Sequence, residues 1–167
     1  MPHICDLILD DHDTFRRRFA ELDDDRHADP EVLRRLWEPL AERLDRHADA
    51  EEQLFYPRLL RRDADAVDDT KDAIRDHSAI RDAVRRAKDR AVGTAAWWEA
   101  VDRAREENSD HMAEEERGPL AEFRRLGDAR LGQELGSRFV AFSDAHAGGR
   151  DIDTTDKDPS AYVEDHG

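Results

Sequence analysis

At 167 residues and 19.3 kDa the chain has the size of one domain plus a tail, and its 38% hydrophobic residues suffice for a single modest core. Asp and Glu number 42 against 27 Lys and Arg, a net charge of -15 that repels phosphate backbones and argues against nucleic acid as a partner. No apolar run approaches the roughly 20 residues of a membrane span and acids interrupt the N-terminus where a signal peptide would continue, so a cytoplasmic protein away from membranes is expected; the single Cys5 excludes internal disulfides and Cys-rich metal sites.

Cys5, Ile8, His12, Phe15, Phe19 and Leu22 recur at three- and four-residue steps, which predicts an amphipathic helix over roughly 3–27. Asp29 followed by Pro30 reads as an N-cap with proline at the first helical position. From there Leu33, Leu36, Trp37, Leu40, Leu44, His47, Glu51 and Leu54 continue one face of a second helix, ending near Pro57 or shortly beyond. A polar cluster at Arg61–Asp65 separates it from a third stripe, Val67, Ile74, His77, Ile80, Val84 and Ala91, that runs until Gly93. Thr94 caps a fourth helix on which Trp97, Val101, Ala104, His111 and Glu115 share a face, and Gly118-Pro119 ends it. Leu120–Leu126 and Leu131–Phe142 suggest a short helix and a fifth amphipathic one before Gly148-Gly149. The polar residues 150–167 show no period and are expected to be unstructured or draped over the surface. No stretch alternates with period two, so the fold class is all-α: an up-down-up-down four-helix bundle with core about 3–118, C-terminal helices about 119–147 in the same domain, and a disordered acidic tail at 148–167.

Each of the four long helices carries one histidine on its apolar face: His12, His47, His77 and His111. Two of them begin the string H-x-x-x-E-E, at His47 to Glu51-Glu52 and at His111 to Glu115-Glu116. A four-residue step stacks His and Glu about 6 Å apart on one face, so both can reach one inward centre. The other two follow an aspartate, as Asp11-His12 and Asp76-His77, and the separations of 35 (12 to 47) and 34 (77 to 111) imply two similar helical hairpins. Counted from the intervening turns at Asp29, Asp63 and Gly93, neighbouring histidines differ by one or two residues in distance, or roughly 1.5–3 Å in height. The four imidazoles therefore converge on one level.

A lone histidine on an apolar face is ordinarily a hydrogen-bonded core residue. Four at one height, with Glu51 and Glu115 on the same stripes and no Lys or Arg there to pair with them, are different: two uncompensated buried carboxylates would cost several kcal/mol. Metal cations are the simplest compensation. Imidazole with carboxylate suits iron, manganese or zinc, and a bundle core favours a dinuclear site in which each metal takes two histidines and both glutamates bridge. About four protein ligands per metal, completed by an oxo or hydroxo bridge, leave an open position for a small molecule.

The motifs His12, His47-x-x-x-Glu51, His77 and His111-x-x-x-Glu115, with the string HADAEEQLFYP at 47–57, resemble the hemerythrin-like HHE cation-binding family over roughly residues 3–125. The resemblance implies a four-helix bundle with a non-haem di-iron centre that meets dioxygen, nitric oxide or peroxide. It assigns His12 and His47 to one iron, His77 and His111 to the other, and Glu51 and Glu115 to the bridge. Oxygen-carrying hemerythrins place a second histidine four residues from that of the third helix, where this chain has Ala73 and Arg81, and an aspartate five residues after that of the fourth, where this chain has Glu115 at four. Reversible oxygen carriage is thus disfavoured, and binding or sensing of a small ligand in redox stress or iron homeostasis is the leading expectation. An oxidoreductase consuming peroxide or nitric oxide, and an iron store or donor, are the other readings; a monomer or weak homo-oligomer is expected. Cys5, Tyr56, Trp37, Trp97 and Trp98 read as packing residues, Glu52, Glu114 and Glu116 as a solvated face, and His3, His27, His146 and His166 as uninvolved.

Overall fold

A computed structural model describes residues 1–167, and its regular structure is entirely helical. The long helices are α1 (Ile4–Asp24), α2 (Pro30–Ala50), α4 (Val67–Lys88) and α5 (Ala95–Arg117); α3 (Tyr56–Arg62) and α6 (Pro119–Arg125) are short continuations, α7 (Ala129–Ala145) follows, and α8 (Pro159–His166) closes the chain. No helix is long and apolar enough to cross a membrane.

Most ends follow from local chemistry. Thr94 lends its Oγ1 to the Trp97 amide at 3.3 Å, one residue after Gly93 turns the chain at φ +84°. Pro30 opens α2 as its first residue, although the Asp29 side chain makes no capping hydrogen bond. The ends that differ from expectation lie at α1, which stops at Asp24 rather than near 27, and at α4, which stops at Lys88 before the glycine.

The second predicted helix is interrupted. Residues Glu51–Phe55 form a π-turn between α2 and α3, with the Tyr56 amide bonded back five residues to the Glu51 carbonyl. Pro57 has no N–H to return to Gln53, and its ring would crowd that carbonyl, so a regular α-turn is disfavoured here. The extra residue advances the buried face by one position: Leu54 is only half-buried, whereas Phe55 and Tyr56 are fully buried.

Two apolar clusters of equal size fill the interior. One contains Ile8, Phe55, Ile74 and Leu120; the other contains Phe15, Leu44, Ile80 and Met112. Three long helices pass from one cluster to the other with the histidine at the crossing: Ile8, His12, Phe15 on α1; Leu44, His47, Ala50 on α2; Ile74, His77, Ile80 on α4; α5 stays in the second cluster through Met112, the residue after His111, and the chain reaches the first at Leu120 of α6. The ionisable core residues thus form a layer between two apolar ones.

α7 lies against the start of α1 because two glycines allow close approach. A Cβ at Gly136 would sit 2.0 Å from the Pro2 carbonyl oxygen, and one at Gly132 would strike the His3 ring. The C-terminal residues do not lack structure. The segment after Gly149 lies along α4, then forms α8, whose Tyr162 is 4% exposed and joins the first apolar cluster. Sequence period fails to reveal it because α8 is short and is fixed by one aromatic residue docked into a distant surface.

Candidate metal centre

His12 of α1, His47 of α2, His77 of α4 and His111 of α5 meet in the layer between the apolar clusters, with Glu51 from the π-turn and Glu115 from α5; each of the six is 5% exposed or less. Their ligand atoms fall into two sets, each within 4.8 Å: His12, His47, Glu51 and Glu115, and Glu51, His77, His111 and Glu115. The two glutamates belong to both. His77 Nε2 lies 3.1 Å from Glu51 Oε2 and 3.2 Å from His111 Nε2, and His111 Nε2 lies 3.4 Å from Glu115 Oε2.

The opposite face of every imidazole is held. Nδ1 of His12 pairs with Glu116 at 2.9 Å, that of His47 with Asp11 at 2.8 Å, that of His77 with Glu52 at 2.8 Å and that of His111 with Asp76 at 3.2 Å. A carboxylate can only accept, so each Nδ1 carries a proton and each Nε2 is turned toward the layer. Three of these carboxylates are gripped by arginine in turn: Asp11 by Arg43 at 2.6 Å, Glu116 by Arg16 at 2.7 Å, and Glu52 by Arg81 through both oxygens at 2.9 and 3.1 Å. Asp11 and Asp76 each precede a histidine but orient the histidine of the neighbouring helix, not their own neighbour.

Glu52 and Glu116 therefore do not form a solvated face. Glu52 is 2% exposed, because the π-turn lets two successive glutamates enter the interior. Glu116 is only partly exposed and serves His12; Glu114 stays exposed as expected. Tyr56, also brought inward by the π-turn, donates its hydroxyl to Glu115 Oε2 and so is more than a packing residue. Cys5 is a buried hydrophobe: burial, the largest effect, pushes its thiol up to about 12. His3 caps α1, while His146 and His166 bond backbone carbonyls away from the layer.

The charge balance of the layer fits a cation. Among ion-pair partners Glu51 meets only imidazoles, and Glu115 meets imidazoles and the Tyr56 hydroxyl. Burial opposes ionisation of both, yet nearby imidazoles hold each carboxyl below its usual range. Burial likewise opposes protonation of His47, but Glu51 and Asp11 outweigh it and raise the imidazole to about 10; Glu115 and Asp76 raise His111. Protons thus do the neutralising that a metal would take over on displacing them.

Within the layer four buried atoms lack any hydrogen-bond partner: His12 Nε2, His47 Nε2, Glu51 Oε1 and Glu115 Oε1. Close approaches exist, 2.8 Å from His47 Nε2 to Glu51 Oε1 and 3.2 Å from His12 Nε2 to Glu115 Oε1, but without the alignment of hydrogen bonds. These orphans are the members of the first four-residue set, and ligand nitrogens and oxygens that crowd one point without hydrogen-bonding each other are what a cation requires. The residues present fit a metal.

A pocket of about 30 Å³ opens beside the second set, bordered by Tyr56, Ala73, Asp76, His111 and Glu115. Ala73 stands one turn before His77 and leaves this space.

No curated protein and no solved structure matches the chain. The family model described as Hemerythrin HHE cation binding domain matches residues 3–121, which run from the start of α1 into the first turn of α6 and contain all six residues of the layer. The chain belongs to the hemerythrin HHE cation-binding family.

Proposed function

We propose that the chain holds two iron ions in the layer between its apolar clusters and uses them to bind or sense a small ligand such as dioxygen, nitric oxide or peroxide. His12 and His47 would hold one ion and His77 and His111 the other, with Glu51 and Glu115 shared; zinc or manganese are the competing occupants. The bundle we propose around them is up-down-up-down, in keeping with the order in which α1, α2, α4 and then α5 with α6 meet the two clusters.

The observation that carries this reading is the pair of four-residue sets sharing two glutamates, with four buried donor atoms left without partners in one of them. Iron would supply a change of oxidation state and a coordination position that protein ligands do not fill. The chain's own contribution is orientation and exclusion. The Nδ1–carboxylate pairs keep each Nε2 aimed inward, Tyr56 holds Glu115 by one oxygen, and the apolar clusters above and below keep bulk water out. The pocket at Ala73 has room for about one water-sized molecule, which suits a diatomic ligand and no organic substrate.

Anaerobic loading with ferrous iron followed by air and azide tests the function. Azide should add a charge-transfer band to the oxidised protein, and aeration should give an oxidised product that argon purging does not reverse. Oxygen uptake reversible through repeated purges would replace sensing by carriage, and absence of any response to azide, nitric oxide or peroxide would overturn ligand binding altogether.

A further inference from the structure

The segment after Gly149 lies outside the family-matched residues, yet it reaches one of the carboxylates that orient the layer. Lys157 Nζ is 2.7 Å from Glu52 Oε2, and Tyr162 donates its hydroxyl to the Glu52 backbone carbonyl. Arg81, one turn after His77 on α4 and 1% exposed, grips both Glu52 oxygens and extends to the Thr155 carbonyl at 3.4 Å. The Asp153 amide bonds Asp49 at 3.0 Å, and Arg85 bonds the Thr154 carbonyl at 2.9 Å. Five contacts thus fasten residues 153–162 across the Glu52 side of the bundle.

The consequence falls on one histidine of the four. Side-chain exposure is 29% for Glu116, 27% for Asp76 and 12% for Asp11, but 2% for Glu52. Glu52 also faces two cationic groups, Arg81 and Lys157, and the second is supplied by the C-terminal segment. A carboxylate sealed from water and fixed from both sides holds the His77 Nδ1 proton in one place, whereas partly exposed partners can trade that bond for water. If packing alone were at stake, the Tyr162 ring would suffice; a half-buried lysine head on the same carboxylate is not needed for it.

We propose that residues 153–162 are a strap that positions Glu52, and through it His77, so that the half of the centre containing His77 and His111 differs in ligand strength from the half containing His12 and His47. Lys157 and Tyr162 are positioning residues in this scheme. The inference rests on the metal reading above for its effect on cations, but its effect on His77 exists without metal.

Lys157→Met and Tyr162→Phe keep side-chain size and remove only the polar contact, and Lys157→Arg restores it. In the metal-free protein, imidazole nitrogen NMR should show the His77 resonances displaced in Lys157→Met and Tyr162→Phe, with those of His12 unmoved and Lys157→Arg close to native. His77 signals that stay in place would overturn the strap whether or not any cation binds. With Co(II) as the probe in a chelator competition, the same variants should weaken one of two bound ions about tenfold and alter its visible bands, leaving the other ion as in the native chain. Equal weakening of both ions, or none, would overturn the asymmetry, and a native chain that binds no Co(II) would count against the metal reading while the NMR result still decides the strap.

Discussion

Asp11→Asn isolates the orienting bond of a single histidine. Asp11 accepts from His47 Nδ1 at 2.8 Å and from Arg43 at 2.6 and 3.0 Å. Asparagine keeps the shape and an acceptor oxygen but turns a charge-assisted bond, about 1.5–3 kcal/mol, into a neutral one of about 0.5–1.5 kcal/mol. A loss of about 1–2 kcal/mol corresponds to roughly 5–30-fold weaker cation binding, overlapping the lower part of the roughly 10–100-fold range for such partners of metal-bound histidines. Asp76→Asn should cost less, since its bond to His111 is 3.2 Å and its side chain is more exposed. Asp10→Asn, one residue away and exposed, should stay within about twofold. Chelator competition with Co(II) or anaerobic Fe(II) reads all three. Affinities for Asp11→Asn and Asp10→Asn that coincide, or a larger loss at Asp76, would refute the view that Asp11 sets the His47 lone pair.

Tyr56→Phe should lower the stability of the metal-free protein by about 1–3 kcal/mol in urea unfolding, because Glu115 Oε2 loses its donor while buried; an unchanged midpoint would show that the hydroxyl holds nothing. His47→Ala or His111→Ala should lose bound metal and also about 3 kcal/mol or more of stability, since each leaves buried carboxylate charge without its partner. His146→Ala, on the exposed side, should stay within about 0.5 kcal/mol and keep its metal, and equal effects from both classes would contradict the assignment. Burial holds the Cys5 thiol up at about 12, so alkylation by iodoacetamide at pH 8 should be absent in the folded chain and appear on unfolding; rapid labelling of the native protein would show that α1 opens at its start.

The residues of the layer are legible in the sequence because they obey the α-helical period. His47 with Glu51 and His111 with Glu115 are spaced by four, and the distances from the turns place all four histidines at one height. Glu52 and Tyr56 are hidden by the π-turn, which advances the buried face by one residue and so makes regular α-phase misleading over Glu51–Phe55. Pro57 is the sequence signal that could have exposed it. The Asp-His pairs are visible, but their roles are not: Asp11 serves His47 and Asp76 serves His111, a crossing between helices that only packing reveals. The strap is least legible, since Lys157 and Tyr162 meet Glu52 across more than a hundred residues of chain with no periodic pattern to mark them.

The central claim is that two cations share one layer of four histidines and two glutamates. Anomalous diffraction at the iron edge from iron-loaded crystals tests it most directly. The account predicts two peaks per chain, roughly 3.5–4 Å apart, one among His12, His47, Glu51 and Glu115 and the other among Glu51, His77, His111 and Glu115. A single peak, or peaks outside this layer, would contradict it.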